Sequence, residues 1–239
     1  MEQELYYSIS DEVFERFPGY VRGVVLAYGL SNGASPPDLV ALLRAAEQSA
    51  RERLQPTAIA EYPRIKTWRE AFRAFGAKPS EYRSSIEAMA RRVLRGDALP
   101  SINALVDIGN IMSLQYLVPA GGHAMDALTQ DLVLRPATGT EEFVALDGIE
   151  IEHPEPGEII FAEGNRVLTR RWVWRQGTYT LLRPETTAME LNVDGLPPAT
   201  AEEVQEICRN AAALVERYCG GRTRIEMLSA GKRSIRLSE

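Results

Sequence analysis

The chain has 239 residues, 45% of them hydrophobic and 25% charged, which supports one sizeable core in an ordinary globular protein. Its net charge of -6 and pI near 5.2 exclude a protein coated in positive charge, while a local basic patch can still grip phosphate. No apolar run nears the ~20 residues needed to cross a bilayer, and the opening MEQELYYSISDEVF lacks the basic and apolar regions of a signal peptide.

In chain order, the first expected element is a short strand over 21–30, VRGVVLAYGL, bounded by Pro18-Gly19 and Ser31-Asn32-Gly33. Ser35-Pro36-Pro37-Asp38 opens a helix that runs to about Leu54, with Leu39, Leu42, Leu43 and Ala46 at helical spacing. A second helical pattern spans Ile59 to Gly76. Lys78-Pro79-Ser80 is expected to begin the next helix, with Ile86, Met89, Ala90 and Val93 as its apolar side. Ile102 to Gln115 reads as another helix, and Leu117 to Gly122 as a glycine-rich turn. After Asp131, short β-like runs alternate with Pro and Gly: Leu132–Arg135, Phe143–Leu146, Ile149–Ile151, Glu158–Phe161, Val167–Trp174 and Tyr179–Leu182. A Pro-led helix start is expected at Pro184 to Thr187. Ala201 to Tyr218 is the last helix, stopped by Gly220-Gly221. Arg224 to Leu228 reads as a final strand, and the basic tail from Gly231 to Arg236 as mobile or an edge. A helix-rich first half packed on a mainly antiparallel sheet, closed by a C-terminal helix, is α+β.

The two cysteines, Cys208 and Cys219, fall on that last helix about three turns apart, too far to pair at ~1.5 Å rise per residue. A reduced, cytoplasmic protein is expected. No spacing suits a metal, no cofactor fingerprint occurs, and Gly220-Gly221-Arg222 follows a helix, the wrong context for a nucleotide loop.

Three constellations carry possible chemistry. Arg83-Ser84-Ser85 at a helix start can cradle an anion, or simply cap the helix ahead of Glu87. Asp107, Asn110 and His123 sit in an apolar stretch, where polar groups must be hydrogen-bonded or cost a few kcal/mol each. They can orient a water for attack on an ester, with Gly109 leaving room for a ligand. Alternatively Asp107 and Asn110 satisfy the glycine-rich turn and His123 is a loop residue. In RRWVWRQ, a strand would put Trp172 and Trp174 on one face, and Arg171, Val173 and Arg175 on the other. Aromatics interleaved with arginines can stack bases and grip phosphates; the plain alternative is core tryptophans with solvated or paired arginines. His153, in a Pro- and Glu-rich turn, reads as a surface residue.

These residues carry a resemblance. The stretch SINALVDIGNIMSLQYLVPAGGHAMD resembles the B3/B4 domain of the phenylalanyl-tRNA synthetase beta subunit, through Ser101-Ile102-Asn103, Val106-Asp107, Asn110 and His123-Ala124-Met125-Asp126. The chain is still more similar to free-standing B3/B4 proteins, through Lys78-Pro79-Ser80, Tyr82-Arg83-Ser84-Ser85, Gly157-Glu158 and Arg171-Trp172-x-Trp174-Arg175. The likeness is strong over 63–195 and extends over the chain, read here as one domain, 1–239. It implies an α+β fold with a pocket between the helical and sheet parts, and a ligand like the 3′ end of an aminoacylated tRNA. In the synthetase this domain hydrolyses tyrosine wrongly esterified to the phenylalanine tRNA. Asn110 and His123 match positions that line that pocket. Two departures stand out: Gly109 replaces a common Thr, and the stretch from Asn110 to His123 is longer. RRWVWRQ also replaces a glycine-rich strand end, and the acidic residue that reads the tyrosine hydroxyl has no clear match. Tyrosine specificity therefore does not carry over. No amino-acid-activating or anticodon-binding module is expected within 239 residues.

The expected function is trans-acting hydrolysis of a mischarged aminoacyl-tRNA. Asn110 and His123 would be catalytic, and Arg83, Ser84, Ser85, Asp107, Gly109, Asp126 and Trp174 would bind substrate. Arg171 and Arg175 would meet RNA. The alternatives are a non-catalytic binder of tRNA, other RNA or a free amino acid, and a hydrolase or ligase of another aminoacyl compound. No membrane partner is expected.

Overall fold

In a computed structural model, which describes residues 4–146 and 148–238, the chain begins with β1 (Tyr6–Ile9), α1 (Asp11–Arg16) and β2 (Val21–Tyr28). Four helices follow: α2 (Pro37–Arg53), α3 (Pro63–Ala74), α4 (Ser85–Leu94) and α5 (Ala104–Tyr116). Then come β3 (Ala120–Ala124), β4 (Leu132–Pro136), β5 (Phe143–Val144), β6 (Ile151–Glu152), β7 (Ile159–Glu163), β8 (Arg166–Arg170), β9 (Arg175–Gln176) and β10 (Ala188–Gly195). The chain closes with α6 (Ala201–Cys219), β11 (Arg222–Leu228) and β12 (Ser234–Arg236). The architecture is α+β. No helix among the described residues is long and apolar enough to cross a membrane.

Two sheets face each other. The smaller has the order β11-β2-β10-β3, and the larger β12-β1-β4-β7-β8-β9. Every named strand pair among the described residues is antiparallel except β1 with β4. Strand β2, VRGVVLAY, is rich in β-branched residues and buried along almost its whole length, as suits a central strand covered on both faces.

One face of β2 and β10 carries α6. The helix rides against glycine: a Cβ added at Gly23 would lie 2.3 Å from Cys208 Sγ, and one at Gly195 would lie 2.5 Å from a Val204 methyl. The opposite face looks at the larger sheet. Arg22 of β2 lies beneath Phe161 of β7, its guanidinium 5.3 Å from the ring centre. Helix α5 packs against α2, α6 and β3. Its start is capped by Asn103, whose side chain accepts from Val106 N at 3.1 Å, satisfying one free donor of the first turn.

Several sequence expectations are corrected. Lys78-Pro79-Ser80 does not begin a helix: Glu81 N and Tyr82 N both close on Lys78 O in a turn, and α4 begins only at Ser85 behind its Ser84 cap. The helical pattern from Ile59 becomes a short 3-10 turn over Ile59–Glu61, with α3 starting at Pro63, where proline is preorganised for a first turn. The 117–122 segment is not only a turn. Leu117 takes the left-handed conformation that ends α5, and Ala120 onward forms β3 along β10. A Cβ at Gly122 would sit 2.9 Å from Glu190 O, so glycine is what lets the strands approach. Strand 167–174 ends at Arg170, because Arg171 and Trp172 have positive φ of 45° and 65°. Residues 179–182 are a turn and coil. Pro184 to Thr187 leads not to a helix but into β10, whose Met189, Leu191 and Val193 alternate with Glu190, Asn192 and Asp194. Strand β1, helix α1 and strand β10 had no counterpart in the sequence reading. The basic tail ends in β12, the edge of the larger sheet against β1.

Two measurements test this packing. Gly23→Ala should cost about 1–3 kcal/mol in urea unfolding, because the added methyl overpacks α6. Gly109→Ala, whose Cβ would meet its neighbours only at 3.7 Å, should be neutral or stabilising by up to about 1 kcal/mol. Burial pushes the Cys208 and Cys219 thiols up to about 12 and about 11, so neither should react with a thiol reagent at pH 8 until the protein unfolds.

Candidate functional site

A cavity of about 480 Å³ lies between α5, the β3–β10 side of the smaller sheet, and the β8–β9 end of the larger one. That volume suits a small organic ligand. Its walls are largely apolar, with Met89, Leu105, Phe161, Trp172 and Leu182 among them. The polar groups are few and concentrated.

At one wall stands His123, buried and held from both ring nitrogens. Nδ1 lies 2.5 Å from Glu190 Oε1, and Nε2 lies 2.8 Å from Thr169 Oγ1. His123 and Thr169 line the cavity, while Glu190 lies behind. Cross-strand register makes this pairing, since His123 is directly opposite Glu190. Burial pushes the Glu190 carboxyl up, and His123 pulls it back only in part. When Glu190 is charged, it accepts the hydrogen bond of Nδ1–H and leaves Nε2 to accept from the Thr169 hydroxyl. That is the carboxylate–imidazole–hydroxyl order by which a weak oxygen nucleophile is activated.

Further along β10, Asn192 and Asp194 also face the cavity. Arg22 Nε pairs with Asp194 Oδ1 at 2.7 Å, Tyr20 OH donates to the same oxygen, and Arg22 Nη1 donates to Tyr7 OH. Tyr7 OH in turn donates to Asn192 Oδ1 at 2.9 Å. Burial works against charge on Arg22, but the Asp194 carboxylate outweighs it and holds the guanidinium well above its usual range. Burial likewise pushes Tyr7 and Tyr20 up, so both remain phenols.

The third wall is the turn after β8. Trp172 drops into an aromatic cage, edge-on to Phe17 and Tyr20 at 4.7 Å each and to Trp68 at 5.1 Å. Arg171 swings the other way and stacks on Tyr82 at 3.6 Å and Trp174 at 4.5 Å. The two tryptophans therefore do not share a strand face. Glu158 holds the turn, taking a two-pronged pair from Arg170 and the Arg171 N–H at 3.0 Å.

The structure separates the sequence-nominated residues. Asn110, His123, Ser85, Gly109, Trp174 and Arg175 line the cavity. The Asn110 side chain makes no hydrogen bond with any described residue, so its amide is open to a ligand. Ser84 is the buried cap of α4, accepting from Glu87 N, and Arg83 is exposed beside it. Asp107 is fully buried beneath the start of α5, taking Ser35 Oγ at 2.6 Å, Ser101 Oγ and Ile102 N at 3.1 Å. It does not serve the glycine-rich turn. Asp126 is exposed and accepts from Thr187 and Ala188. Arg171 is buried, its Nη1 without a partner, and burial pushes its pKa down. Arg175 is half-buried, 3.6 Å from Glu152. His153 is exposed, as read from its turn. Among the described residues, no three His, Cys, Asp or Glu side chains gather as a metal-holding set.

The B3/4 domain profile matches residues 67–220. The chain belongs to the B3/4 domain family. The match covers α4, α5, α6 and every residue of the cavity wall except Arg22, and leaves β1 and β2 outside it. Arg22 therefore comes from a part of the chain that the family match does not include. An N-terminal fragment of the phenylalanyl-tRNA synthetase beta-subunit from Pyrococcus horikoshii aligns at TM-score 0.44 and 12% identity, over 91% of this chain and 50% of that one. The chain thus spans about half the length of that fragment. No curated protein matches.

Sequence reasoning missed Glu190, Thr169, Arg22 and Asp194. The signal for the two acids was the alternation in Met189-Glu190-Leu191-Asn192-Val193-Asp194, which marks a strand with one apolar and one polar face. The lone Arg22 inside an apolar run was a second signal, because a buried charge requires a partner. Glu190→Gln gives a direct test of the coupling. A carboxyl whose folded pKa is raised contributes stability below its unfolded value and loses it as pH rises through the folded value. Wild type should therefore lose stability relative to Glu190→Gln as pH rises from about 4.5 towards neutrality, measured by urea unfolding across that range.

Proposed function

We propose that this protein hydrolyses the ester of a mischarged aminoacyl-tRNA, with the aminoacyl end of the tRNA seated in the cavity. The observation that carries the proposal is the Glu190–His123–Thr169 chain opening onto a small-molecule cavity beside the unpartnered amide of Asn110. Membership of the B3/4 family and the resemblance of the 100–126 segment to an editing pocket support the same reading. A water bound at Thr169 adds to the ester carbonyl, and its proton passes through the hydroxyl to His123 Nε2. Asn110 donates to the carbonyl oxygen as charge develops there. The proton then returns to the departing ribose oxygen, releasing the free amino acid and tRNA. Trp174 stands at the cavity wall with Arg175 beside it, placed to meet the terminal nucleotide and its phosphate. Arg171, buried beneath Trp174, holds that ring in place.

A second reading, non-catalytic binding of tRNA or an amino acid, is favoured by one feature: both nitrogens of His123 are already engaged within the protein. Deacylation assays over a panel of mischarged tRNAs separate the two. Hydrolysis should fall by about 100-fold or more in His123→Ala, and at least tenfold in Thr169→Val and Asn110→Ala. Wild-type turnover equal to His123→Ala, or none on any tRNA, would overturn the catalytic reading. Binding retained without turnover, and weakening steeply with salt, would establish the second.

A further inference from the structure

The deep end of the cavity has a hydrogen-bonding pattern whose direction is fixed by groups that can only donate. Arg22 has no acceptor, so its Nη1 makes Tyr7 an acceptor. Tyr7 must then donate its own O–H to Asn192 Oδ1, 2.9 Å away. That turns the Asn192 amide so that Nδ2 is its unused end. On the other side, Trp172 Nε1 donates to Tyr20 OH at 3.3 Å, and Tyr20 gives its proton to Asp194 Oδ1. Arg22 Nε bonds the same oxygen at 2.7 Å. The ion pair is therefore a half-made fork, one N–H to one oxygen where two parallel bonds are available. Arg22 Nη2, Asn192 Nδ2 and Asp194 Oδ2 have no hydrogen bond to any described residue. All three side chains line the cavity, and each is at least nine-tenths buried. These three atoms are the cavity-facing ends of otherwise buried side chains, so their hydrogen-bonding capacity is directed at whatever occupies the cavity.

We propose that this corner is a carboxamide-reading subsite: two donors take the carbonyl oxygen of a ligand amide, and Asp194 Oδ2 takes its N–H. The inference rests on the aminoacyl-ester reading above and names the class of amino acid: one whose side chain ends in a carboxamide or ureido group. A carboxylate tip would set a second anion against Asp194. An ammonium tip would face Arg22. An apolar tip would leave all three groups unpaired. Asn192 and Asp194 are two residues apart in β10, so their side chains rise from the same strand face beside Arg22.

The test uses the full chain and non-hydrolysable 3′-aminoacylamino-3′-deoxyadenosines carrying glutaminyl, glutamyl, methionyl and tyrosyl groups, titrated by calorimetry. Glutaminyl should bind at least tenfold tighter than each of the other three, since a site built to hydrogen-bond a group rejects analogues lacking it. Asn192→Ala, which leaves the ion pair intact, should cost glutaminyl about tenfold and leave methionyl unchanged. Its unfolding transition checks the fold. Methionyl or tyrosyl binding as tightly as glutaminyl would overturn the subsite and leave the aminoacyl reading standing. Failure of all four to bind would overturn both.

Discussion

The buried pair of Arg22 and Asp194 is the constraint on which the rest is arranged. Two facing sheets ordinarily interdigitate apolar side chains across about 10 Å. Here the inner face of the smaller sheet carries a guanidinium, two carboxylates, an amide and an imidazole. Such groups cannot simply close on the opposite sheet, because each must keep a partner or pay several kcal/mol in desolvation. Tyr7 reaches across from β1 and Tyr20 from the loop before β2, and both lock onto the pair. Removing one member would strand the other charge, typically a loss of about 3–5 kcal/mol. The space the polar rungs cannot fill is the cavity.

Chemistry divides along β10. Glu190 reaches the cavity only through His123, which lines it together with Thr169, whereas Asn192 and Asp194 meet it directly. The proposed reacting end and the proposed recognition end thus share one strand face, at positions set by its period of two. The turn at Arg171 and Trp172 closes the third side. Left-handed backbone at two consecutive residues with side chains is costly, and it persists because Trp172 gains three edge-on aromatic neighbours while Glu158 ties down the backbone behind it. The same turn leaves Arg171 sandwiched against Tyr82 rather than extended to solvent.

Helices were legible in the sequence because their signals are local. Helix α2 shows its 3.6 period between Pro37 and Leu54, and α6 shows a capping box at Thr200 and Glu203 followed by apolar residues on one face. The sheets were less legible because their determinants are distant. Gly121 and Gly122 suggest a turn until Glu190 O is seen to occupy the space a Cβ would need at Gly122. RRWVWRQ alternates like a strand, and only the cage of Phe17, Tyr20 and Trp68, drawn from elements more than a hundred residues upstream, bends it. The same logic governs the site. Asn110 and His123 stood out as polar residues in an apolar stretch. The partners of His123, Glu190 and Thr169, are 67 and 46 residues beyond it, and no local pattern connects them.

The glycines beneath α6 have a consequence for the opposite face. Gly23 is the neighbour of Arg22, and Gly195 the neighbour of Asp194, so the two strands offer bare backbone to the helix at the residues that carry the charge pair inward. Val204 and Cys208 rest directly on that backbone. The depth of the cavity floor is therefore set from behind, by the thickness of two side chains on a helix that contributes no residue to the wall of this cavity. Bulk added or removed on that face of α6 would raise or lower the charged floor like a shim, tuning which ligands reach it without altering a single lining residue.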